Sequence, residues 1–113
     1  MADLNSVLIV RAVGTGDDQT YTMLRRCSVF DVCVLATNGG AGTVTLQNGA
    51  NAISAAIDPS SADTAYIRPV TGGVWTAAQR DLAIGDVLTF NVSAGTLNYE
   101  AYAYLYPNPG VPE

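Results

Sequence analysis

The 113-residue chain has no lysine and no histidine, and charged residues make up only 13% of it, against roughly 25% in an ordinary soluble domain. Its cations are Arg11, Arg25, Arg26, Arg68 and Arg80. Each absence removes chemistry. Without histidine there is no Ser-His-Asp or Cys-His arrangement, and no imidazole base near neutrality. Without lysine there is no Schiff base, no phosphate-loop lysine and no Lys–Asn isopeptide cross-link. The net charge is −5, and no basic patch is large enough to neutralise several phosphates, so no nucleic acid is expected as a partner. The longest apolar runs, such as Val7 to Val10, are too short to cross a bilayer, so no membrane is expected either. The start Met-Ala-Asp-Leu-Asn lacks the basic head and apolar stretch of a signal peptide, which implies synthesis in a cytoplasm.

Cysteine is scarce too. Cys27 and Cys33 lie in one run without a turn signal. On a strand rising about 3.3 Å per residue their Cα atoms are roughly 20 Å apart, beyond the ~7 Å that a disulfide spans. Two free thiols on one strand face are expected. Zinc would need both thiols and carboxylates, so no metal and no cofactor is expected.

What the chain does have is short stretches rich in Val, Thr, Tyr and Ile, alternating with Gly, Asn and Asp clusters. That pattern predicts an all-β domain, a jelly-roll-like or Greek-key β-sandwich of about eight short strands. The predicted strands are 6–13, 21–37, 43–47, a stretch with Ile53, Ala55 and Ile57 inward, 65–70, 87–92 and 96–106; residues 76–82 fit either a helical turn or a strand ending at Ile84. Apolar residues on both faces of 21–37 mark that strand as central, with Phe30, Val32 and Val34 on one face and Val29, Asp31, Cys33 and Leu35 on the other. Gly14-Thr15-Gly16 reads as a turn, and Asn48-Gly49 as a hairpin turn. The chain reads as one domain, 1–113, with short extended arms at 1–5 and 107–113.

Catalysis finds little support. A carboxylate pair for glycoside hydrolysis could be drawn from Asp17, Asp18, Asp58, Asp63, Asp81, Asp86 or Glu100. Most of these fall in or beside turns, where Asp is favoured for local hydrogen bonding. Asp17-Asp18 lacks the ligand spacing of a calcium loop, and Asn91-Val92-Ser93 is a chance glycosylation match within a strand.

The last strand is the most informative. Leu97, Tyr99, Ala101, Ala103 and Leu105 share one face; Asn98, Glu100, Tyr102, Tyr104 and Tyr106 share the other. Three tyrosines at period two offer large contact area at low entropy cost, as protein interfaces do. The alternative is cross-strand packing within the sandwich. Trp75 is a core or interface anchor, or a stacking platform for a sugar. Arg25-Arg26 could hold a carboxylate of a partner, or cap a sheet edge. The low charge suits a chain partly covered in an assembly, and also an acidic monomer.

In composition, in the run Tyr66-Ile67-Arg68-Pro69 leading to Trp75, in the stretch Arg80 to Phe90 and in the Pro-rich tail, the chain resembles the small decoration, or cement, proteins on the capsids of tailed bacteriophages. The resemblance implies a jelly-roll-like, non-enzymatic virion protein, a homo-oligomer (dimer or trimer) bridging major capsid proteins on the capsid surface and bracing the shell. It supplies no binding residues. The rival expectation is a carbohydrate-binding module or tail-associated adhesin using Trp75 and the tyrosine row.

Overall fold

The computed structural model describes residues 7–37, 41–59, 80–93 and 95–107. They form eight strands: β1 (Leu8–Thr15), β2 (Gln19–Thr22), β3 (Cys27–Ala36), β4 (Val44–Asn48), β5 (Asn51–Ala52), β6 (Asp81–Leu82), β7 (Val87–Val92) and β8 (Asn98–Pro107). Two four-stranded antiparallel sheets result, one in the order β1-β8-β3-β6 and the other β2-β7-β4-β5. The first strand thus pairs with the last, the second with the seventh, the third with the sixth and the fourth with the fifth. This nesting is a long antiparallel hairpin rolled across two sheets, the order of a jelly roll.

One core lies between the sheets. Val10, Val32, Val34, Ala101, Ala103 and Leu105 face it from the first sheet, and Val44, Leu46, Leu88 and Phe90 from the second. Period-two alternation produces these sets, because successive side chains of a strand point to opposite faces. Each fully buried Val, Leu or Phe contributes about 1.5–3 kcal/mol relative to its exposure.

Four expectations need correction. The extended run 21–37 is two strands in opposite sheets, β2 and β3, joined by a corner at Met23–Arg26. Met23 is buried at that corner; its N–H donates to Asp86 O at 2.8 Å and its carbonyl accepts from Gly85 N at 2.9 Å. The chain therefore turns by pairing with the β6–β7 turn, without glycine or proline of its own. Second, a β-bulge at Phe30 breaks the alternation of β3: Val29 pairs with Leu105, but the next pair is Asp31 with Tyr104. A bulge inserts one extra residue and swaps faces beyond it. Val29 joins Val32 and Val34 in the core while Phe30 points outward, and Cys27 and Cys33 lie on opposite faces, both as free, buried thiols. Third, Ala55 is exposed; Ser54 is buried between Ile53 and Ile57, and its hydroxyl accepts from Leu46 N at 3.2 Å. Fourth, Gly14 and Thr15 belong to β1, the Asn48-Gly49 turn moves one residue on because Asn48 pairs with Asn51, and Pro107 closes β8 rather than starting an arm.

Gly14 shows why the strand continues. Its backbone lies against the ring of Tyr99, so that a Cβ there would sit 2.4 Å from Cε1. Tyr99 is fully buried, and its hydroxyl donates to Asp17 O at 2.8 Å, tying β8 to the β1–β2 loop.

Candidate interaction surface

The register places every outward residue of the first sheet. Across β1, β8 and β3 the outer rows are Ile9–Tyr104–Asp31, Arg11–Tyr102–Cys33 and Val13–Glu100–Leu35, with Tyr106 opposite Ser28. Tyr102, Tyr104 and Tyr106 therefore form a ridge on the face away from the core.

The ridge divides into two parts. Arg11 Nε donates to Glu100 Oε2 at 2.6 Å, and Tyr102 adds a hydrogen bond to each member of the pair. Those bonds, Tyr102 first and then Glu100, hold the Arg11 guanidinium above its ordinary pKa; the bond from Arg11 and then that from Tyr102 hold Glu100 below the usual carboxylate range. The other part is aromatic. Phe30, turned outward by the bulge, packs against Tyr106 with centroids 5.7 Å apart and against Tyr104 at 6.3 Å. The Tyr104 hydroxyl lies 3.7 Å from Cys33 Sγ. The tyrosines thus make cross-strand contacts and also contribute to the surface.

Exposure rises steeply across this face. Ser28 and Cys33 of β3 are buried, Tyr102 and Tyr104 of β8 are half-buried, and Tyr106 is 39% exposed. On the β1 side Val7, Ile9 and Val13 are 48%, 52% and 50% exposed. The second sheet provides an internal comparison. Its outward residues are Thr20, Thr22, Thr45, Gln47, Ala52, Val87, Thr89 and Asn91, hydroxyls and amides with two aliphatics, one of them only an alanine. An antiparallel sheet facing water ordinarily looks like the second, not the first.

Arg25 and Arg26 are exposed at the β2–β3 corner. They adjoin the Tyr106 end of the ridge, because Cys27 pairs with Pro107. Leu24 of the same corner and Ile84 of the turn bonded to it are 77% and 72% exposed. Trp75, the expected strand 65–70, Asp63 and residues 1–5 and 108–113 of the arms lie outside the described residues. Four of the other candidate carboxylates hold the fold's own groups. Asp17 accepts from Thr15 N and Gln19 Nε2, Asp18 from Val92 N and Asn91 Nδ2, Asp86 from Ala83 N, and Asp81 from the Ser28 hydroxyl. Among the described residues no group of three or more metal-ligating side chains comes together.

Sequence reasoning missed the aliphatic half of the surface. The signal was Val7, Ile9 and Val13 alternating with Leu8, Val10 and Ala12, a strand apolar on both faces. No protein-family model matches the chain, and comparisons with curated proteins and with solved structures find no match.

Proposed function

We propose that this chain is a non-enzymatic structural protein that binds the outer surface of a tailed-bacteriophage capsid, bridging major capsid proteins and stabilising the shell. One observation carries the binding role: beside the Arg11–Glu100 pair, the outer face of the first sheet bears Val7, Ile9, Val13, Tyr104 and Tyr106, whereas the second sheet's outer face is mainly threonine, glutamine and asparagine, with Val87 and Ala52 its apolar residues. An apolar face of this kind on a stiff sandwich serves contact with other protein surfaces. The capsid as partner rests on the sequence resemblance. Repetition over a shell supports it physically, because modest contacts per copy add up through multivalency.

The test is binding to shells of the virus that encodes the chain, stripped of this protein. Wild-type protein should co-sediment with them and raise their disruption temperature, and Tyr106→Ala with Ile9→Ser should bind more weakly. Protein that binds glycans but leaves such shells bare refutes the capsid reading in favour of an adhesin.

A further inference from the structure

The four strands at sheet edges are unequal. β2 has four residues, β5 and β6 have two each, and β1 has eight. Along all eight positions β1 pairs with β8 on one side, and among the described residues nothing pairs with its other side. Proteins ordinarily protect such an edge with charged side chains, proline, a bulge or shortness. β1 has no proline or bulge, its one charge, Arg11, is held by Glu100 of the neighbouring strand, and its other outward side chains are Ile9, Val13 and Thr15, with Val7 just before it. We propose that β1 is the edge through which two copies of this chain join, antiparallel about a two-fold axis, into one eight-stranded sheet.

Two observations select a second copy as the occupant. The chain carries net charge −5, so two copies repel wherever carboxylates dominate; at the middle of β1 Glu100 is paired with Arg11, and Arg11, on the edge strand itself, is the charge nearer to a second copy. The edge is also self-complementary in one register. With Val10 opposite Val10 of the second copy, Val7 meets Val13 and Leu8 meets Ala12, while Ile9 lies along the Arg11 stem. Shifting the axis to Arg11 would set two guanidiniums face to face, which disfavours that register. The contact is confined to one strand edge and its aliphatic side chains, so the dimer is a weak, concentration-dependent one. This inference is independent of the capsid reading: a dimer that ignores capsids leaves it standing.

Sedimentation velocity from micromolar to millimolar concentration tests it. The mass should rise from 11.7 kDa for one chain towards twice that value. Position 9 faces Arg11 of the second copy twice by symmetry, so Ile9→Lys should weaken association by about tenfold or more, whereas Ile9→Glu retains it. Val13→Lys should weaken it from the other end of the ladder, and both positions are half-exposed, so unchanged melting temperatures show that the variants fold. A monomer at millimolar concentration, a trimer, or association indifferent to the sign of charge at position 9 overturns the proposal.

Discussion

Replacing Gly14 by alanine should destabilise the sandwich well beyond the effect of an ordinary strand Gly→Ala change. The added methyl would lie 2.4 Å from Tyr99 Cε1, 2.6 Å from Cζ and 2.7 Å from the hydroxyl oxygen. Real carbon contacts need a separation of about 3.5–4.0 Å, so the ring must move by roughly 1 Å or more. Tyr99 is fully buried, with its hydroxyl bonded to Asp17 O at 2.8 Å. Forcing a methyl into a packed core costs about 1–3 kcal/mol, and losing the hydrogen bond adds about 1 kcal/mol. The expected total is about 2–4 kcal/mol, read as a lower urea midpoint at unchanged slope. Tyr99→Leu removes the obstructing ring, so Gly14→Ala should cost far less in that background, a coupling of at least about 1 kcal/mol. A single Gly14→Ala variant within about 0.5 kcal/mol of wild type would refute the close approach, as would strict additivity with Tyr99→Leu.

The Tyr99 hydroxyl is held at about 12, chiefly by burial, with Asp17 and then Asp18 adding to it. The ordinary tyrosine value is about 10, so the folded state keeps the proton longer; this contribution is complete below pH ~10 and fades as pH rises towards 12, by about 2.7 kcal/mol for a shift of two units. Urea midpoints should therefore fall steeply above pH ~10 in wild type and less steeply in Tyr99→Phe; equal slopes would refute the assignment. Cys27 and Cys33 are both fully buried, and burial raises the Cys27 thiol further. Neither should react with an aromatic disulfide reagent in native protein, and both should react in denaturant; rapid native labelling of either thiol would contradict the packing.

The two rows of β8 were legible because small or aliphatic residues alternate there with tyrosines, so the sequence shows which face can enter a packed core. The limits of β7 were legible for the same reason, with Leu88 and Phe90 inward between Gly85-Asp86 and Ser93. The corner at Met23–Arg26 was not. Its turn is held by backbone hydrogen bonds to Gly85 and Asp86, some 60 residues away, and no local residue signals them. The bulge at Phe30 was hidden likewise, because residues apolar on both faces of β3 permit either register. The sequence put the three tyrosines on one face of β8 and left an interface and packing within the sandwich both open; in β1 it showed a strand apolar on both faces, but not that the outer one stays open. Exposure there follows from β1 standing at an edge, and edges are set by pairing order, which periodicity does not encode.

The bulge suggests a deletion that should be tolerated in a central strand. Phe30 is the one residue of β3 between the Val29–Leu105 and Asp31–Tyr104 pairs. Removing it leaves Cys27 and Val29 inward, Asp31 outward and Val32 inward, an unbroken alternation in the existing register. The loss is the two ring contacts to Tyr104 and Tyr106, each worth about 0.5–1.5 kcal/mol beyond burial, so the deletion should cost about 1–3 kcal/mol and keep the fold. Deleting Tyr102 from the neighbouring strand has no such escape. Residues beyond it change face, driving Tyr104 and Tyr106 towards the slots of Ala103 and Leu105 and turning Leu105 to solvent. Overpacking at two core positions with a lost leucine approaches the whole stability of a small domain, about 5–15 kcal/mol. The Phe30 deletion should therefore give a cooperative melt and the Tyr102 deletion none. If both unfold, the extra residue in β3 is required by the core, and the bulge is not a separable insertion that carries an aromatic side chain to the outer face.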